Sequence, residues 1–460
     1  MDSYDVVVVG AGSSGCAAAG RLAARTDLRI CLLEAGPDYG PLADGRWPAE
    51  ILDAAEMPRT HDWGYFETRD RELRRESRAK IVGGCSAHNQ CAAVWPQLDE
   101  FDAWNIPGWT SAELEPLVAE VDRIIAPAPH ADHDLSSWQR VWLDAGISSG
   151  FPRLANIGES GQNEGAAPFH ANVRAGVRWS AAFAFLDAVR RRPNLTVRPD
   201  TYVEALVDGA DTATLTCRDA TGHFELRARR CLLAAGAYGS PAILLRSGLG
   251  PEGVGANLHD HFGARVRFQP STAAVQALED DFERNRFRQS QVCIRARTPD
   301  AKAFDVHVVP FQAQTDEGEW TFQAFAFVLA PRSRGRFTVD GDVPTIDFGF
   351  LSDPHDERAL DDALAIARRI AESEPLASAI DEELEPADTE ARTTMSGYAH
   401  AVGTCALGTV LGPDCRVRGT SNVAVADASI IPKIPRANPN LTCFLIGLRG
   451  ADMLLDEVGP

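Results

Sequence analysis

One stretch near the start of the chain, "YDVVVVGAGSSGCAAAGRLAA" (residues 4–24), limits the folds open to it more than any other. Four successive valines, Val6 to Val9, read as a strand buried on both faces, as in a parallel sheet covered by helices. Gly10 permits a tight turn. Gly12 lets backbone approach a pyrophosphate, with Ser13 and Ser14 beside it, and Gly15 lets the following helix pack against the strand. The first turn of that helix then faces the phosphates. A glycine triad alone is weak evidence. Here it follows a strand, opens a helix and meets a second apolar run, "RICLLEAG", that ends in Glu34. A carboxylate in that register binds the hydroxyls of an adenosine ribose, which favours FAD or NAD over NADP. The expected class is α/β, with a Rossmann-like dinucleotide-binding domain.

The 460 residues can bury a large core in two domains or one two-lobed unit. A net charge of −20 argues against nucleic acid and anionic membranes as partners. Ten scattered cysteines, none in a C-x-x-C pair, suit buried free thiols in a reducing compartment. No apolar run reaches the length of a membrane span, and no basic-then-apolar leader precedes the first strand. The expected location is therefore cytoplasmic. No His, Cys, Asp and Glu cluster has metal-ligand spacing. His130 and His133, in "PHADHD", read as a solvated loop rather than a metal pair.

The segment "KIVGGCSAHNQCAAVW" (80–95) places His88 among glycine and small polar residues. That histidine could be a general base, a metal ligand, a packed side chain or a cofactor attachment point. With the glycine cradle placed, four blocks resemble the glucose–methanol–choline (GMC) oxidoreductase family: Tyr4–Pro37, Arg78–Trp109, Cys231–His261 and Gly397–Leu455. The run Gly83-Gly84-Cys85-Ser86-Ala87-His88-Asn89-Gln90 resembles the choline oxidase-like subgroup, in which the histidine carries the flavin through its 8α carbon. The resemblance implies FAD, linked covalently to His88, with Gly83, Gly84, Cys85 and Asn89 near it. It also implies cofactor contacts from Val203, Gly236, Asp427 and Ala428. A departure stands at "GPEGVGANLHDH" (250–261), where the family usually inserts a further loop. That loop often borders the entrance or a subunit contact, so a homodimer stays open.

The same resemblance makes His400, in "GYAHAVGTCALG", and Asn438, in "RANPNLTCFLIG", the catalytic pair. Their chemistry suits alcohol oxidation. A neutral histidine takes the hydroxyl proton while a hydride passes to flavin N5. An asparagine holds the alkoxide without competing for the proton. Pro439 and Asn440 then open a helix whose first amides face the cofactor. His259 and His261 read as structural. A hydroxynitrile lyase-type enzyme with structural FAD is the alternative on the same fold.

The FAD-binding domain is expected over 1–125, 178–262 and 396–460. A substrate-binding domain of antiparallel sheet covered by helices is expected over 126–177 and 263–395, where apolar residues alternate and "DERALDDALAIARRIAES" has helical spacing. In "RNRFRQSQVCIRART", Gln291 aligns with the carboxylate that choline-acting relatives use, and arginines 284, 286, 288, 295 and 297 surround it. Such a setting repels a cation. The expected substrate is a polyol, glycoside or hydroxylated natural product held by Gln90, Gln291 and Gln312, with oxygen or another electron acceptor as the second partner.

Overall fold

The computed structural model describes residues 2–69, 72–155, 157, 164–285, 288–315, 318–341, 343–384 and 395–458. Arg286 therefore lies outside the described residues. The valine run forms the inner part of a strand, Asp2–Val9, and Val6, Val7 and Val8 are fully buried. It pairs in parallel with Ile30–Leu33 on one side and with Gly222–Leu233 on the other. Leu195–Arg198 extends the first edge in parallel, and Val423–Val425 runs parallel beside the end of Gly222–Leu233. Two antiparallel strands, Ala213–Asp219 and Tyr202–Asp208, complete this seven-stranded sheet. Helices Ser13–Arg25 and Asn440–Val458 pack on it side by side, and Gly15, Ala17, Ala18 and Ala19 keep the first of them slim enough to do so.

A second seven-stranded sheet is antiparallel throughout. It is built chiefly from Phe262–Pro270, Trp320–Val328, Val306–Gln314 and Val292–Ala296. Its two faces divide by parity, because successive side chains of a strand point to opposite sides. Val306, Val308, Phe322, Ala324 and Ala326 join one apolar core with Trp138 and Trp142 of helix Ser137–Ser148 and Leu360, Ala363 and Leu364 of helix Pro354–Ala371. The opposite parity (Val309, Phe311, Ala313, Gln323, Phe325 and Phe327) faces a cavity between this sheet and the first. The fold is thus α/β with a second sheet domain covered by helices, as the patterning suggests. A smaller four-stranded sheet joins Tyr65–Arg69 and Glu72–Glu76 to Arg336–Asp340 and Val343–Asp347.

All ten cysteines are free, and only Cys85 is exposed. No helix among the described residues is long and apolar enough to cross a membrane.

Candidate functional site

The cavity has a volume of about 1100 Å³, above the roughly 300–1000 Å³ of common small-molecule pockets. One end is the glycine cradle. Gly10, Gly12, Ser13, Ser14, Glu34, Gly84, Cys85, Val203, Gly236, Asp427, Ala428, Pro439 and Asn440 all line the cavity. Gly15 and Gly83 do not. The Gly15 α-carbon lies against the Gly10 carbonyl, so any side chain there would collide with it. The Gly83 amide donates to the Ala11 carbonyl at 2.7 Å. Both therefore hold the cradle from behind, because close packing needs glycine as much as close ligand approach does.

Two carboxylates tie the cradle together. Glu34 accepts from the amides of Ala11 and Gly36, each at 2.9 Å, and so joins the second strand to the glycine turn. Burial raises its pKa to about 7, against those two amide bonds. Asp427 accepts from the Gly236 amide (2.9 Å), the Ser240 hydroxyl (2.5 Å) and the Ser429 amide (2.8 Å). It thereby fixes the start of helix Gly236–Ser247 beside the loop that follows Val423–Val425. The Asn440 amide nitrogen is buried without a partner at the start of the last helix. Glycine backbone, helix starts and a free amide donor converge here, as binding of a dinucleotide pyrophosphate requires. The residues present fit FAD.

His88 lines the same cavity and is 4% exposed. Its Nε2 lies 2.8 Å from the Thr60 carbonyl oxygen, which can only accept, so Nε2 carries the proton and Nδ1 keeps the lone pair. Burial lowers its pKa and holds the ring neutral. Asn89 and Gln90 follow it along the wall.

At the other end His400 and Asn438 meet. The Asn438 side-chain nitrogen is 3.1 Å from His400 Nε2. His400 Nδ1 is 3.0 Å from His261 Nδ1, and His261 Nε2 is 3.0 Å from the Pro435 carbonyl oxygen. The protons along this chain follow from its end. The Pro435 carbonyl accepts, so His261 donates from Nε2. Burial pushes the His261 pKa down to about 3, so the ring is neutral and Nδ1 is bare. His400 therefore donates from Nδ1, and its unprotonated Nε2, at the cavity wall, accepts from the Asn438 side-chain amide. Asp260 fixes the backbone by accepting from the His400 amide with both oxygens (3.0 and 2.9 Å). Tyr398 stacks on Phe327 with ring centroids 3.6 Å apart and closes the wall beside His400. Sequence reasoning missed the role of His261. Its "DH" dipeptide was visible, but nothing local shows that it reaches a histidine from another block.

The glutamines separate. Gln90, Gln289 and Gln323 line the cavity, whereas Gln291 and Gln312 do not. Gln291 accepts from the Ser136 amide (2.9 Å) and donates to the Asp134 carbonyl (2.8 Å). Gln312 accepts from Gln139 (2.6 Å) and donates to the Arg288 carbonyl (2.9 Å). The expectation that these two contact substrate is corrected. Gln312 has the parity of Val308, which faces the helices, not that of Phe311, which faces the cavity.

Family models described as "GMC oxidoreductase" match residues 4–263 and 331–447. The chain is 30% identical to choline oxidase of Arthrobacter globiformis over 98% of this chain and 94% of that protein. The chain belongs to the GMC oxidoreductase family. It is also 26% identical to an alcohol dehydrogenase [acceptor] of Pseudomonas putida, over 99% of this chain and 96% of the other. The crystal structure of pyridoxine 4-oxidase from Mesorbium loti superposes with a TM-score of 0.84 at 25% identity, covering 97% of this chain and 98% of that one. Formate oxidase of Aspergillus oryzae shares the fold, with a TM-score of 0.84 at 22% identity. As a GMC oxidoreductase the protein is an FAD-dependent enzyme that acts on alcohols.

Proposed function

We propose that this GMC oxidoreductase oxidises the CH–OH group of a polyol, glycoside or hydroxylated natural product other than choline, with His400 as base and Asn438 as alkoxide partner. The observation that carries the reading is the unprotonated Nε2 of His400, set by the bonds to His261 and Pro435. A substrate hydroxyl that displaces the direct 3.1 Å bond between the pair donates its proton to that nitrogen and accepts from the Asn438 amide. The carbon then gives up its hydride as the carbonyl forms. FAD, bound along the cradle, supplies the two-electron acceptor for that hydride. Among the described residues that line the cavity, the carboxylates are Glu34 and Asp427, both at the cradle. A trimethylammonium group finds no counter-ion at the His400 end, which disfavours choline. In this reading the first sheet holds the cofactor and the second roofs the substrate.

The test is anaerobic bleaching of the flavin by choline, aromatic alcohols, polyols and glycosides in turn. Bleaching by one of the classes other than choline is the expected result. Choline as the best reductant would refute the substrate assignment, and no bleaching by any alcohol would refute the redox reading.

We further propose that His88 carries the flavin. Its neutral ring and free Nδ1 support this, because a protonated imidazole is no nucleophile. Acid precipitation of the parent should leave the yellow colour with the protein, and precipitation of His88→Ala should release it. Colour released from the parent as well would show that no bond forms.

A further inference from the structure

Arg288 is 7% exposed and lies in the cavity wall beside Gln289 and Ser290. A buried guanidinium ordinarily pairs with a carboxylate, because burying an unpaired charge is costly. Here its hydrogen-bond partners are neutral: His130 Nε2 at 2.8 Å, and the carbonyl of Gln90. Among the described residues no carboxylate pairs with it. Its Nε has no partner, and neither has the buried hydroxyl of Ser290 two residues on. Burial lowers the pKa of Arg288, and that of His130 falls to about 3 through burial and then through the neighbouring guanidinium. The positive charge is thus held in place without local compensation.

The protein behind Arg288 is built to keep it there. Gln312 donates to the Arg288 carbonyl at 2.9 Å, and Gln139 accepts from the amides of Gln291 and Val292 at 3.0 Å each. The segment is braced from its far side, and the Gln90 carbonyl that Arg288 grips belongs to the run that begins at His88. The wall beside it is apolar and aromatic: Phe169 donates its amide to the Gln291 carbonyl at 2.8 Å, and Phe311, Phe325 and Phe327 line the neighbouring strands.

We propose that the substrate is an alcohol whose body also carries an anionic group, a carboxylate or a phosphate, and that Arg288, with Ser290, is the site that receives it. The proposal rests on the alcohol-oxidising reading for the reaction, but the anion site stands on its own residues. A carboxylate presents two oxygens to the guanidinium edge and supplies the missing counter-charge. An apolar or aromatic body then spans the phenylalanine-lined wall toward His400. The same charge excludes quaternary ammonium alcohols.

Binding can be read without turnover. In the flavin-loaded enzyme, benzoate and benzamide are titrated against the visible absorption of the bound flavin. Benzoate should bind about thirtyfold more tightly, the scale expected for a charge-assisted pair. In Arg288→Gln that preference should vanish, and Arg288→Lys should keep part of it. Equal affinities in the parent enzyme, or a benzoate preference that survives in flavin-loaded Arg288→Gln, would overturn the proposal. The parent comparison holds even if a variant fails to fold. Bleaching by 4-(hydroxymethyl)benzoate and by benzyl alcohol separates the two readings. Tight benzoate binding with no bleaching by any alcohol leaves the anion site standing and removes the redox reading. Bleaching by benzyl alcohol with no benzoate preference does the reverse.

Discussion

His400→Ala is expected to slow anaerobic flavin reduction by about 10²–10⁴-fold, the usual contribution of a positioned general base. The reason is geometric. His261 and Pro435 fix the proton on Nδ1, and Nε2 is the lone pair that meets the substrate hydroxyl. Asn438 has no second lone pair of comparable basicity, so no neighbour takes over the duty. The variant should still bind flavin, because the His400 side chain bonds His261 and Asn438 rather than the glycine turns of the cradle. The pH profile adds an independent readout. Burial above all, and then the neighbouring His261, Arg78 and His307, place the His400 pKa well below the ordinary 6.5. Protonation inactivates the base, and a lowered pKa moves that loss to lower pH. The parent reduction rate should therefore be level above about pH 6.5 and fall only in more acid solution. His400→Ala should lose that acid limb along with the rate. Activity within a few-fold of the parent, with the limb retained, would remove His400 from the mechanism.

The parts of this fold that are legible in the sequence are those whose information is local. The valine run, the glycine turn and the small-residue helix need only a few neighbouring residues to declare themselves, and the cradle forms where they point. The covering helix Pro354–Ala371 is legible for the same reason, since its apolar residues repeat along one element. His400 and Asn438 are different. Neither spacing nor composition marks them, and they became visible through the family resemblance of their blocks. Gln291 and Gln312 failed because one step of strand register decides which face a side chain joins. Gln291 stands just before Val292–Ala296, where the ladder has not begun, and its parity had no anchor. His261 and Arg288 are in plain view in the sequence, where the one reads as structural and the other as a repulsive charge. Their partners lie in other blocks, so only the assembled cavity shows what each is set against.

The contact between the first two glycine motifs is likewise invisible in either alone, and it carries the second large prediction. Gly84 sits at φ +52°, and a β-carbon built there falls 2.5 Å from the α-carbon of Gly12. Two penalties therefore meet in Gly84→Ala. The left-handed backbone costs roughly 1–2 kcal/mol for a residue with a side chain. The collision forces the two loops apart at the point where they enclose the cofactor, at a further cost of about 1–3 kcal/mol. Gly45 separates the two, because it is also left-handed (φ +66°) but has nothing within 4 Å of the place a methyl group would occupy. Gly45→Ala should carry the backbone penalty alone, lower the melting temperature by a few degrees and keep its flavin. Gly84→Ala should melt lower still and purify with little or no flavin, measured as the ratio of visible to ultraviolet absorption. Full flavin content in Gly84→Ala, with a melting temperature equal to that of Gly45→Ala, would mean that the two loops part without consequence and that the cofactor does not depend on their contact. Loss of flavin in Gly84→Ala alone would assign the effect to the collision, and so to the meeting of the two motifs across the cofactor site.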